Sequence, residues 1–163
     1  MESNLILISP FAQKLRNWMP NPKSPTPEWW KSLLVLFNEQ IIQIGVTNEP
    51  QLVSDFRQNL RLDQIKQLVL SCELWISVDS FLPHLAHHVG VPGIVIWTLA
   101  DPNIFGYTEN VNILKDRKYL RKDQFGMWES ESYNEDAFPN VTDVAQKVIE
   151  LRLGKYGSRT IAQ

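Results

Sequence analysis

LWISVDSFLPHLAHHVGVPGIVIWT, residues Leu74 to Thr98, holds two short apolar runs with an amphipathic stretch between them. LWISV and GIVIWT are rich in β-branched and aromatic residues and read as strands. Between them Leu82, Leu85, Ala86 and Val89 recur at helical spacing, and Gly90 closes the run. Strand, helix and strand, with near-continuous apolar strands, imply a parallel pair covered on both faces.

The same alternation extends outward. Upstream, NLILIS (Asn4 to Ser9) reads as a buried strand stopped by Pro10. TPEWWKSLLVLFNE predicts a helix capped by Thr26, with Pro27 at its first position and Trp30, Leu33, Leu34 and Phe37 as its apolar stripe. QIIQIGV (Gln40 to Val46) predicts a strand. DQIKQLVLSC predicts a helix capped by Asp63, with Ile65, Leu68, Val69 and Cys72 on one face. Downstream, VNIL predicts a short strand and Val141 to Leu153 a final amphipathic helix. The fold class is therefore α/β: a single Rossmann-like, doubly wound parallel sheet in one domain spanning residues 1–163.

The 163 residues suffice for one domain with a real core, and 44% hydrophobic with 21% charged is ordinary globular composition. The net charge of −2 lacks the pull of a general nucleic-acid binder, although a nucleic-acid acceptor bound in a local groove stays compatible. One cysteine, Cys72, rules out an internal disulfide and a Cys-rich zinc site. No apolar run approaches the ~20 residues of a membrane span, and NLILIS is too short for a signal-peptide core. The expectation is a cytoplasmic protein without membrane insertion.

In doubly wound sheets, ligands bind beyond the carboxyl ends of the strands. The loops to inspect follow Ser9, Gly45, Val78 and Trp97. After Val78 come Asp79, Ser80, Phe81, Leu82, Pro83 and His84. Unpaired amides at the start of the next helix suit phosphate, and Asp79 suits hydroxyls, a combination that fits a nucleotide-sugar. The competing reading is that Asp79 or Ser80 merely caps the helix. Glu49 either accepts hydrogen bonds from ribose or sugar hydroxyls or is a solvated turn residue. Phe105 and Tyr107 either cover a base or pack. The loop after Ser9 carries five of the ten prolines and the cations Lys14, Arg16 and Lys23, any of which can neutralise a diphosphate. His84 and His88 lie one turn apart, but without a carboxylate or cysteine at a recognised spacing no metal is expected. No Walker loop, Gly-x-Gly-x-x-Gly or Gly-x-Ser-x-Gly elbow is present, which argues against NTPase, hydride and serine-hydrolase chemistry.

CELWISVDSFLPHLAHHVGVPGIVIWTLADPNIFGY (Cys72 to Tyr107) resembles the nucleotide-sugar-binding half of family 9 glycosyltransferases, the ADP-heptose:lipopolysaccharide heptosyltransferase group of GT-B type. The likeness rests on a strand, Asp-Ser, a helix beginning near a His, Gly-x-Pro and a DP loop. IIQIGVTNEP and ISPFAQKLRNWMPNPKSPTPEWW resemble the preceding strand and the opening strand with its cationic loop.

The resemblance implies that Asp79 meets the donor sugar or ribose. It implies that the amides of Ser80, Phe81 and Leu82 hold the diphosphate, with His84 beside it. Glu49 would hold ribose, and a lysine, Lys23 or Lys14, would meet phosphate or sugar; Asp79 and Lys23 would be the groups at the reacting centre. It also implies a nucleoside-diphosphate sugar as substrate, no cofactor, and an acceptor side supplied by a separate chain or a second copy in a homo-oligomer. The segment Lys115 to Phe138 is where a partner would dock, unless it packs back on the sheet. One departure stands out: Phe81 occupies the position of the family's glycine after Asp-Ser. The rival expectation is a non-catalytic protein that binds or sequesters a nucleotide or nucleotide-sugar.

Overall fold

The computed structural model describes residues 4–160. Six parallel strands form one sheet in the order β3-β2-β1-β4-β5-β6. They are β1 (Leu5–Ser9), β2 (Gln40–Gly45), β3 (Asp55–Gln58), β4 (Leu74–Val78), β5 (Ile94–Trp97) and β6 (Val111–Leu114). The chain winds outward from β1 to β3, returns to place β4 beside β1, and winds outward again to β6. The strand order therefore reverses between β1 and β4, whose register pairs Ile8 with Ile76 and Ser9 with Ser77.

Side-chain alternation divides the strands between two cores. Leu5 and Leu7 of β1, Trp75 of β4, and Val95 and Trp97 of β5 face α2 (Leu62–Ser71) and α3 (Phe81–His88). Ile6 and Ile8, Ile76 and Val78, and Ile94 and Ile96 face α1 (Pro27–Leu34) and α5 (Val141–Thr160). Burial on both faces is why these strands lack the polar positions of a half-exposed strand.

The helix signals work locally. Thr26 Oγ1 accepts from the Trp29 amide at 3.2 Å, and Pro27 opens α1. Gly90 takes φ +74°, the left-handed turn that ends α3. Two expectations are corrected. Arg61, not Asp63, is the N-cap of α2; Asp63 lies inside the first turn, where its carboxylate holds the Arg61 guanidinium at 3.1 Å. Helix α1 stops at Leu34, so Phe37 packs on the core from the following turn.

Buried polar groups close the frame. Gln43, inside β2, donates to the Pro50 carbonyl and accepts from the Leu52 amide, both at 2.8 Å, pinning the crossover to β3. At the opposite edge of the sheet from the ligand loops, Arg152 of α5 forms ion pairs with Glu39 and Glu73. Those carboxylates immediately precede β2 and β4.

Candidate functional site

The loops after β1, β2 and β4 surround a cleft of about 1040 Å3 at the carboxyl edge of the sheet. It lies at the reversal of strand order, where open α/β sheets bind ligands. Lys14, Lys23, Glu49, Asp79, Ser80 and Phe81 all line it. The sheet topology thus gathers most of the residues singled out from sequence, although they lie far apart along the chain.

Asp79 follows β4 directly. Its Oδ2 pairs with Lys23 Nζ at 2.9 Å, with the two side chains only 12% and 22% exposed. Their charges cancel, yet each keeps capacity to spare: an ammonium has three donors and a carboxylate several acceptor positions. Lys23 is positioned by the rigid loop before α1. The Ser24 Oγ accepts from the Ala12 amide, and the Pro22 carbonyl accepts from Thr98 Oγ1.

The N-terminus of α3 is open. Ser80 is the N-cap residue, but its hydroxyl turns back to Ser77 Oγ and the Val78 carbonyl and makes no cap bond. Pro83 has no N–H to offer. Among the described residues, no hydrogen bond reaches the amides of Phe81 or Leu82, so two oriented donors remain at the positive end of the helix. The Leu82 side chain is fully buried in the core. The Phe81 side chain is 46% exposed and lines the cleft wall.

Glu49 occupies the other side. Its Oε2 is buried without a hydrogen-bond partner. Burial pushes the carboxyl up to about 7, against the lowering effects of a Val46 backbone hydrogen bond and the Lys14 charge. The carboxyl lies so close to Gly45 that a Cβ there would overlap it. Gly45 is therefore required by the position of Glu49 rather than by its own backbone conformation. Because the overlap falls on the end of a flexible side chain, Gly45→Ala is expected to cost under about 1 kcal/mol in stability. It should displace Glu49 and return its titration toward the ordinary carboxylate range. Carbon-13 NMR of the Glu side chains checks this; an unmoved Glu49 titration refutes it.

Other candidates lie elsewhere. His84 Nδ1 hydrogen-bonds Tyr107 Oη at 2.7 Å, and neither residue lines this cleft. His87 stacks on Tyr107 and pairs with Glu109. Phe105 packs on Phe125 and the core. Asp101 caps the single turn of α4 (Pro102–Phe105) and holds Arg117 at 2.8 Å. Much of the segment 115–138 is engaged within the chain: Tyr133 Oη bonds the Ser24 carbonyl, Glu129 accepts from the Arg16 amide, and Trp128 lies beneath Lys23. Sequence reasoning missed Trp128 and Arg121 as neighbours of the site, since nothing local ties them to the strand ends. Among the described residues, no group of three His, Cys, Asp or Glu is arranged to hold a metal ion, and no helix is long and apolar enough to cross a membrane.

No family model matches the chain, and no curated protein matches it. Solved structures do share its fold. A family 9 glycosyl transferase from Veillonella parvula superposes with a TM-score of 0.69 at 15% identity, over 93% of this chain and 46% of that one. The E. coli heptosyltransferase WaaC with ADP gives 0.65 at 14% identity, over 91% and 44%. The dodecameric, iron-containing heptosyltransferase TibC in complex with ADP-D-β-D-heptose gives 0.63 at 14%, over 94% and 46%. The chain thus has the Rossmann-like fold found within these GT-B glycosyltransferases and spans about half their length.

Proposed function

We propose that this domain binds a nucleoside-diphosphate sugar in the cleft and presents it for transfer of the sugar to an acceptor. The observation that supports this best is the convergence, at the β1/β4 reversal, of uncapped amides, a cation and two carboxylates. The Phe81 and Leu82 amides and Lys23 meet the diphosphate. Asp79 accepts hydrogen bonds from the sugar, and Glu49 from ribose. Lys14 adds positive charge on the Glu49 side.

In the transfer step the bond between the anomeric carbon and the diphosphate oxygen breaks. The acceptor oxygen forms the new bond and gives up its proton to a base on the acceptor side. The diphosphate leaves with added negative charge, which fixed donors stabilise best because they need no reorganisation. The acceptor side lies outside this domain, and the reaction takes place in the cytoplasm. A second reading is binding or sequestration of the nucleotide or nucleotide-sugar without transfer.

A thermal-shift screen of nucleoside diphosphates and their sugars tests the site, since a ligand that binds the folded state raises its melting temperature. Asp79→Ala should weaken a nucleotide-sugar by about fivefold, a net value because losing the carboxylate leaves the Lys23 charge uncompensated and so draws phosphate more strongly. The bare nucleoside diphosphate should bind the variant as well as the wild type, or better. Equal loss for both ligands would remove Asp79 from the sugar side. Turnover of the sugar donor separates transferase from binder.

A further inference from the structure

Lys23 makes a second contact that the proposed function leaves unused. Its ammonium lies 4.9 Å from the centroid of the Trp128 ring. The Arg121 guanidinium stacks on the same indole, 3.7 Å from its centroid. Arg121 is only 6% exposed, and its Nε and Nη1 have no hydrogen-bond partner. The remaining nitrogen, Nη2, donates to the Gly126 carbonyl. Among the described residues, no carboxylate pairs with it.

A buried guanidinium without a counter-ion is costly unless something attracts it, and here the indole face does. The backbone around Arg121 is fixed. Its amide donates to the Leu99 carbonyl at 3.0 Å, and its carbonyl accepts from Gln124 Nε2 at 2.8 Å. Gln124 in turn accepts from the Asp101 amide at 2.8 Å. Arg121 is thus anchored to the end of β5 and clamps the indole.

A lysine on a four-carbon stem normally samples many rotamers, and an anion that captures it must freeze them. Here Asp79 holds one side of the ammonium and the indole flanks another. Lys23 itself lines the cleft.

We infer that Trp128, clamped by Arg121, is a positioning residue for Lys23, holding its ammonium ready for the diphosphate. The inference rests on the role of Lys23 given above. It assigns to the segment after β6 a part in the site rather than a purely connecting one.

Two measurements test it. The first uses ADP and adenosine in calorimetric titrations. Trp128→Leu should weaken ADP by about five- to tenfold and leave adenosine unchanged, while Trp128→Phe, which keeps a π face, should stay within about twofold of wild type. Arg121→Met should behave like Trp128→Leu. In a Lys23→Met background, Trp128→Leu should add no further loss, because residues acting as one unit are not additive. Full additivity, equal loss of adenosine, or a Phe variant as weak as Leu would overturn the inference.

The second measurement needs no nucleotide. With lysines reductively methylated with carbon-13, the Lys23 methyl signal, assigned by Lys23→Arg, should be shifted upfield by the indole ring current. Trp128→Leu should abolish that shift. An unshifted Lys23 signal in the wild-type protein refutes the positioning whatever ADP does. A shifted signal in a protein that fails to bind ADP keeps the positioning and overturns the diphosphate role instead.

Discussion

Between about pH 6 and about pH 8, ionisation of Glu49 is expected to tighten nucleoside-diphosphate binding by up to about tenfold beyond the ligand's own pH dependence, and Glu49→Gln should remove that excess. The cause is the burial of the Glu49 carboxyl beside Gly45, which raises its titration to about 7. The ionised carboxyl accepts from a ribose hydroxyl at either oxygen in a charge-assisted bond, whereas the protonated form turns one oxygen into a donor and accepts more weakly at the other. With a midpoint near 7, about a tenth of the protein is ionised at pH 6 and about nine-tenths at pH 8. The phosphate groups of the ligand also ionise in this range, but they do so equally for wild type and variant, so the difference between the two curves isolates Glu49.

The stability of the free protein moves the opposite way. The folded-state carboxyl titrates above the ordinary value of 4.5, so folding favours its neutral form. That contribution is fully present below about pH 4.5 and is lost as pH rises through about 7. Glu49→Gln should therefore be more stable than wild type at pH 8, by about 1–2 kcal/mol after allowance for solvent screening, and indistinguishable at pH 4. Titration calorimetry and urea unfolding across this range check both halves. Parallel binding curves for the two proteins would rule out a role for Glu49 in the ligand site.

Gly93→Ala should lower the stability by about 3 kcal/mol and the melting temperature by roughly 6–12 °C. A Cβ at position 93 would overlap three ring atoms of Trp75. Trp75 cannot give way. It is fully buried in the core under α2 and α3, and its Nε1 donates to the Val91 carbonyl at 2.9 Å. The glycine backbone is also held, since the Gly93 amide donates to Asn110 Oδ1 at 3.1 Å. Trp75→Phe, which vacates part of the ring, should recover some of the loss when combined with Gly93→Ala. A melting temperature within a degree or two of wild type for the single variant would show that the indole repacks freely. Because β4 carries Asp79 at its end, displacing Trp75 should also loosen the Lys23 pair.

The fold was largely legible because its strands are buried on both faces and its helices are amphipathic. Leu74–Val78 and Val111–Leu114 fall where the apolar runs place them. Strand β3 escaped notice for a physical reason. Asp55–Gln58 is short, polar and at the edge of the sheet, so it carries neither alternation nor an apolar run. The one-turn helix after Asp101 was legible only as turn chemistry.

For the site, the rule that ligands gather at strand ends led to Asp79, Ser80, Phe81, Glu49, Lys14 and Lys23, and the cleft brings these together. His84 was placed by its proximity along the helix, but its ring turns to Tyr107 instead. Trp128, with Arg121 stacked on its ring, reaches Lys23 across more than a hundred residues of chain, a contact that local patterning does not encode.

The edge strand β3 has a consequence for self-association. An exposed strand normally invites a foreign strand to extend the hydrogen-bonded ladder. This one spans only four residues and carries Asp55 and Arg57 as a forked ion pair, with bonds of 2.9 and 3.0 Å. A newcomer would gain few ladder bonds while stripping water from two opposed charges. At high concentration the protein should therefore resist fibre-like growth through this rim.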